Sequence, residues 1–429
     1  MNPSWCAACL AYSALVAACG QTTTDDPQEA GHGGAASTVS GTGDDGGAGR
    51  AETGTLPACL DYGVSEVVEY GPGVNGDAVV WTGRDYALVW SVNHESLSLP
   101  RNWFDIEVVR ADRAGNVVAQ QTAYSSRTSD DALVDSGWGV ANVLSAVPAD
   151  DDLAILYCEF GADTYEGQLR FLLLDPTGSV LAGPRTLAPC NGQHPGRMVW
   201  NGAGFGVVWE HDEALHFLEL DASAATTSAI QRVAIEGMIA TLHLFWHAGR
   251  YGLAWEDVHS ALDANRFVTI ERAPTSIDDS VLLSGPGAYA NDLHVAPVPE
   301  GYTAVWYESD ISGSTGRQLM ASLDTAGELR QPPRELNPAP LVALSANPAE
   351  HGVLLAEETT VGTEAAMSLS FATLSRSGEW MRDALPLVPP ERFARPVLFD
   401  WHESAFDLLF TQCLDDERRL ALLRVICRD

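Results

Sequence analysis

The side chains best suited by type and spacing to do chemistry in this 429-residue chain are carboxylates. Acids gather just after short apolar runs: Glu159, Asp163 and Glu166; Glu210, Asp212 and Glu213; Glu256, Asp257 and Asp263; Glu308 and Asp310; Glu357, Glu358 and Glu364; Asp415, Asp416 and Glu417. Were they to converge, they would suit a hard cation or a cationic ligand. The stronger competing reading is that surface loops of so acidic a chain are acidic everywhere. His211 and His259 lie among these acids. His243, His247, His294 and His402 could ligate a metal, but their scatter along the chain favours isolated surface histidines. A carboxylate acid–base pair is defined by a separation in space, which sequence does not supply. There is no Gly-x-Ser-x-Gly, no His-Glu-x-x-His, no P-loop and no Asp-x-Asp-x-Asp-Gly. No catalytic residue, metal or cofactor is therefore expected.

The elements that must position the acids are announced by a repeat. A ten-residue phrase runs from Trp through a four-residue turn and an aromatic to a second Trp: Trp81 to Trp90, Trp200 to Trp209 and Trp246 to Trp255. Weaker copies are Pro148 to Tyr157, Pro297 to Trp306, Ala346 to Leu355 and Trp401 to Phe410. Their ends are spaced about 53 residues apart on average, near the period of long propeller repeats. Within each step the runs are short, aromatic-rich and bounded by Gly and polar turns, as strands are. A third strand follows (169–174, 215–220, 419–426) and is punctuated by Asp112 to Gly115, Asp175 to Gly178, Asp324 to Gly327 or Ser375 to Gly378. There the Asp or Ser accepts backbone N–H bonds and the Gly supplies positive φ. Four antiparallel strands repeated seven times predict an all-β, seven-bladed propeller, its large aromatics filling the wedges between blades. The seventh repeat stops after its third strand, and 64–70 is expected to complete that blade as its outer strand, closing the ring. The phrase resembles the Trp-Asn-Gly-x-x-Phe/Tyr-x-Val-x-Trp repeat of bacterial exported propeller lipoproteins. The resemblance covers roughly residues 60–429 and implies a fold but no activity.

In that architecture the loops joining second to third strands share one face, here called upper. The acidic runs fall there, and Glu210, Asp212, Glu256 and Asp257 become candidates for a partner contact. Trp103, ending the 91–103 loop, is expected to be exposed and to contribute too. Cys158 and Cys190 fall on the upper face of one blade, while Cys59 and Cys427 meet at the lower face where the ring closes. Disulfides Cys158–Cys190 and Cys59–Cys427 are therefore expected in an exported protein. Cys413 is left over.

The first 18 residues are apolar and lead into Leu15-Val-Ala-Ala-Cys19, too short a run to span a bilayer. The Val-Ala-Ala-Cys ending resembles the lipobox of bacterial lipoproteins, which implies cleavage before Cys19 and acylation of that residue. A plain signal peptide is the alternative. Residues 20–58 lack Phe, Trp and Tyr and are rich in Gly, Ala, Thr and Asp, which predicts an unfolded acidic tether. Its mean reach would be roughly 35 Å. The expected organisation is thus a signal peptide (1–18), a tether (19–58) and a propeller (59–429). The expected location is the outer membrane, on its periplasmic or surface side. A net charge of −34 argues against nucleic acid as a partner. The expected role is a monomeric, membrane-anchored, noncatalytic binding or scaffold module for a protein or glycan. The alternative is a hydrolase or lyase acting on a polysaccharide through the upper-face acids.

Overall fold

A computed structural model describes residues 59–61, 64–70, 74–94, 103–127, 140–161, 165–235, 237–258, 264–270, 280–285, 288–310, 316–336, 341–361, 364–381, 384–388, 393–402, 405–414 and 417–427. The expectations for Cys19, the tether, Asp163, His259, Asp263, Asp415 and Asp416 lie outside the described residues. The described residues form seven antiparallel sheets and no helix. Blade one is Val74–Trp81, Tyr86–His94, Trp103–Ala111 and Val117–Ser125. Blade two is Val140–Ala149, Asp152–Phe160, Glu166–Leu174 and Val180–Asn191. Blade three is Gly196–Trp200, Gly204–His211, Ala214–Asp221 and Gln231–Ala234. Blade four is Met238–His247, Arg250–Val258, Ala264–Ile270 and Val281–Leu282. Blade five is Tyr289–Val298, Gly301–Ser309, Gly316–Asp324 and Arg334–Leu336. Blade six is Leu341–Ala346, Glu350–Val361, Glu364–Ser375 and Leu385–Val388. Blade seven is Phe393–His402, Ala405–Leu414 and Glu417–Cys427, and both Cys59–Asp61 and Val64–Tyr70 pair with its last strand. The first strand of each blade touches the first strand of the next, and the seventh touches the first. The fold is a seven-bladed β-propeller.

The repeat phrase is the first hairpin of each blade. In four blades the opening Trp pairs with the following aromatic at a tilt: Trp81–Tyr86 at 4.9 Å, Trp200–Phe205 at 4.8 Å, Trp246–Tyr251 at 4.7 Å and Trp401–Phe406 at 4.7 Å. The closing residues Trp90, Trp209, Trp255 and Trp306 are buried, so the indoles are packing and not a ligand platform.

In several blades the third residue of the second strand sits under the aromatic of the next blade. A Cβ on Gly206 would stand 2.4 Å from the Tyr251 ring, and one on Gly352 would stand 2.4 Å from the Phe406 ring. A Cβ on Gly252 would likewise meet Tyr302 at 2.8 Å. Thr303 meets His351 at the same place, 3.2 Å apart. Between blades seven and one the contact is polar: the Tyr86 hydroxyl donates to buried Asp407, whose other oxygen lies 3.1 Å from Arg424 Nε. Burial first, and then the Asp407 carboxyl, push the Tyr86 phenol far above its usual range.

Third-to-fourth-strand turns use the expected chemistry. Gly115, Gly178, Gly327 and Gly378 all have positive φ. A fifth copy, Asp221 to Ala224, uses Ala224 at φ 65° and carries the same Asp–backbone bonds.

Candidate functional site

The upper face is built by the ends of the second strands. On a strand, neighbours point to opposite faces, and here both faces of a sheet are covered by adjacent blades. Residues just past the buried anchors are therefore buried as well. Glu159, Glu210, Glu256, Asp257 and Glu308, five acids expected on loops, are all buried strand residues.

Each of three is satisfied by named neighbours. Glu159 takes the Arg170 guanidinium of the adjacent strand, Nε to Oε2 at 2.9 Å. Glu308 receives Arg317 Nη2 at 3.0 Å, the Trp306 indole N–H at 3.2 Å and the Gly285 N–H at 2.7 Å. Glu210 reaches the next blade, where it accepts the Ile239 N–H at 3.1 Å, and its other oxygen is 3.4 Å from His194 Nδ1. Among the described residues no guanidinium offsets the lost hydration of Glu210. Burial, reinforced by the Asp257 carboxylate, pushes its pKa up to about 7. Burial lowers His194 from its ordinary value.

Asp212 alone of the four acidic contact candidates is exposed, its side chain retaining 77% of its surface. It shares a two-residue hairpin turn with Glu213, both at positive φ (48° and 53°), a geometry that matches strand twist but is usually given to Asn-Gly. Trp103 is half-buried and not freely exposed. Its ring stacks on His94 at 4.9 Å and 12°, the Arg127 guanidinium lies 5.2 Å from the ring centre, and His94 Nε2 is 2.8 Å from Asp105. This patch belongs to blade one and the Glu210–His194 pair to the blade two–three–four region, so the structure does not gather the candidates into one cluster.

The histidines differ most from expectation. His243 and His294 belong to inner first strands and are not isolated surface groups; burial takes them down to about 4 and about 3. His247 and His402 each lean on the next blade, His247 against Tyr302 at 5.4 Å and His402 against Trp81 at 5.7 Å. Among the described residues no group of three or more His, Cys, Asp or Glu is arranged to hold a metal.

The upper end of blade two is stapled by a Cys158–Cys190 disulfide joining its second and fourth strands, with Cα atoms 6.2 Å apart. The backbone register sets Cys59 opposite Cys427. The side chains of Cys59, Cys413 and Cys427, like those of Glu358, Glu364 and Glu417, lie outside what is described.

No family model matches the chain, and no curated protein matches it. Among solved structures it is similar to polysaccharide lyase Uly1, with a TM-score of 0.51 and 8% identity over 83% of this chain and 91% of that one. It is also similar to the β-propeller domain of the Trilobed protease from Pyrococcus furiosus (TM-score 0.48, 10% identity, 85% and 97% covered). A third is Drosophila Semaphorin 1a, extracellular domains 1–2 (TM-score 0.44, 8% identity, 83% and 88% covered). Enzymes and other propellers stand side by side, and the likeness is one of fold.

Proposed function

We propose that this chain is a membrane-anchored, extracytoplasmic propeller that binds a protein or glycan on its upper face without transforming it. The observation that carries the reading is the engagement of the buried acids. Glu159 and Glu308 are paired with guanidiniums of their own blades and Glu210 accepts a backbone N–H of the next, so these carboxylates are already engaged by the protein itself. What remains for a partner is a rigid rim that includes exposed Asp212 and the half-buried Trp103–His94–Arg127 stack. Aromatic and Arg groups held in place in this way lose little entropy on binding. Anchoring through an acylated Cys19 is supported by the Leu15-to-Cys19 phrase and the aromatic-free stretch after it. Retention of the mature chain on envelope proteins and polysaccharides tests the binding reading. Binding should be saturable, weaken in Trp103→Ala and Asp212→Ala, and release no cleaved product. Radiolabelled palmitate incorporated by the wild type and not by Cys19→Ser tests the anchor.

One observation favours the second reading, a polysaccharide-acting hydrolase or lyase. Glu210 titrates near pH 7 beside His194 and Asp257, an environment suited to passing a proton. Turnover of an extracellular polysaccharide that disappears in Glu210→Gln while binding persists would establish that reading.

A further inference from the structure

We propose that the axis of the ring holds an oxyanion, gripped by the Arg197 guanidinium and flanked by the imidazoles of His243 and His294. The three residues occupy one rung of the inner strands. Arg197 is opposite Val208, His243 opposite Ala254 and His294 opposite Val305, in each case one step before the buried Trp of that blade. The equivalent residues in the other blades are Ala78, Ser145, Ala343 and Leu398. Three consecutive blades thus present nitrogen donors on this rung, four present small or apolar groups, and none presents a carboxylate.

Arg197 supplies the decisive observation. In a chain with 58 acidic and 24 basic residues, two guanidiniums set into the blades have a carboxylate partner: Arg110 has Asp85 at 2.9 Å and half-buried Arg170 has Glu159 at 2.9 Å. Among the described residues Arg197 has none. Its Nη1 donates to the carbonyls of Leu144 at 3.1 Å and Gly196 at 2.9 Å, and among the described residues Nε–H and the Nη2 hydrogens have no protein acceptor. Burial alone acts on it, lowering it from the usual guanidinium range. Arg197 is half-buried, and its remaining donors form a fork that matches carboxylate, sulfate or phosphate oxygens. His243 is fixed by its Nε2 lying 2.8 Å from the Leu293 carbonyl, across the blade four–five boundary. Arg197 lowers His243 further, and His243 lowers His294, so the three groups share one electrostatic neighbourhood.

A bound oxyanion reverses that repulsion and favours protonated imidazoles, so binding takes up protons and tightens as pH falls. Asp292, two residues before His294 on the same strand, is the other titratable group of this segment, and desolvation raises its carboxyl. The test titrates the mature chain with inorganic phosphate, inorganic sulfate and glucuronate, with glucose as control, by calorimetry at about pH 5.5 and 7.5. Saturable binding of at least one oxyanion is expected, tighter at the lower pH. Losing one charged hydrogen-bonding group should weaken it about tenfold or more in Arg197→Gln, with a smaller loss in Arg197→Lys, which keeps the charge but not the fork. Stronger binding of glucuronate assigns the site to acidic sugars, and stronger binding of the inorganic ions assigns it to free anions. No saturable oxyanion binding by the wild type, or equal binding by folded Arg197→Gln, overturns the proposal. Should Arg197→Gln fail to fold, the wild-type pH dependence and Arg197→Lys decide it, and pH-independent binding unaffected by the Lys variant counts against it.

Discussion

Replacing Glu210 by Gln should make the protein more stable above neutrality and remove a step from its pH dependence. The carboxyl is 3% exposed, and burial pushes it up to about 7 in the folded ring from its ordinary 4.5. Because its folded value is raised, the native state binds the extra proton. Its contribution is fully present below about pH 4.5 and is lost as pH rises to about 7. Each unit of displacement is worth about 1.4 kcal/mol, so wild-type stability should fall by roughly 3 kcal/mol across that window from this group alone. Gln has nearly the same shape and keeps an oxygen for the Ile239 N–H, which now donates at 3.1 Å. Glu210→Gln should therefore match the wild type near pH 4.5 and exceed it by up to roughly 3 kcal/mol at about pH 8. Guanidinium denaturation of both proteins at several pH values measures the difference directly. A constant difference across the range, or a variant less stable at high pH, would refute the assignment of a buried, uncompensated carboxyl.

Other expectations follow from packing. Gly206→Ala drives a Cβ into the Tyr251 ring, which it would meet at 2.4 Å, and should cost about 1–3 kcal/mol in thermal or chemical denaturation. Tyr86→Phe takes a donor from buried Asp407 where blades seven and one meet. It should cost about 1–3 kcal/mol, read by the same denaturation, with a smaller loss for a change at an apolar boundary. Cys158→Ser opens a loop of sequence separation 32 and should cost about 3–4 kcal/mol on the chain-entropy estimate, measured against the wild type without reductant. Peptide mapping without reduction should recover a Cys59–Cys427 cross-linked peptide, as expected from their opposed backbone positions; recovery of both as free thiols would rule that bridge out.

The sequence carries the fold openly because one packing problem is solved seven times with similar residues. Trp209, Trp255 and Trp306 mark equivalent rungs, so the spacing alone locates the second strands. The Asp221 to Ala224 turn escapes notice because Ala224 takes the positive φ normally signalled by Gly. The site is less legible for a physical reason. Beside a buried Trp an acid looks like the solvated side of a half-exposed strand, yet propeller sheets are covered on both sides. Glu210 bonds to the next blade while Glu308 bonds within its own blade and to the connection before it. Arg197, His243 and His294 lie far apart in the chain, and only the ladder register brings them to one level.

Binding and turnover measured in one vessel test the functional reading most directly. The mature chain is incubated with envelope extract and with neutral and acidic polysaccharides, and both retention and released product are followed. Saturable retention that weakens in Trp103→Ala and Asp212→Ala, with no product, is the expected result. Polysaccharide cleavage abolished by Glu210→Gln, or retention indifferent to both rim substitutions, would contradict it.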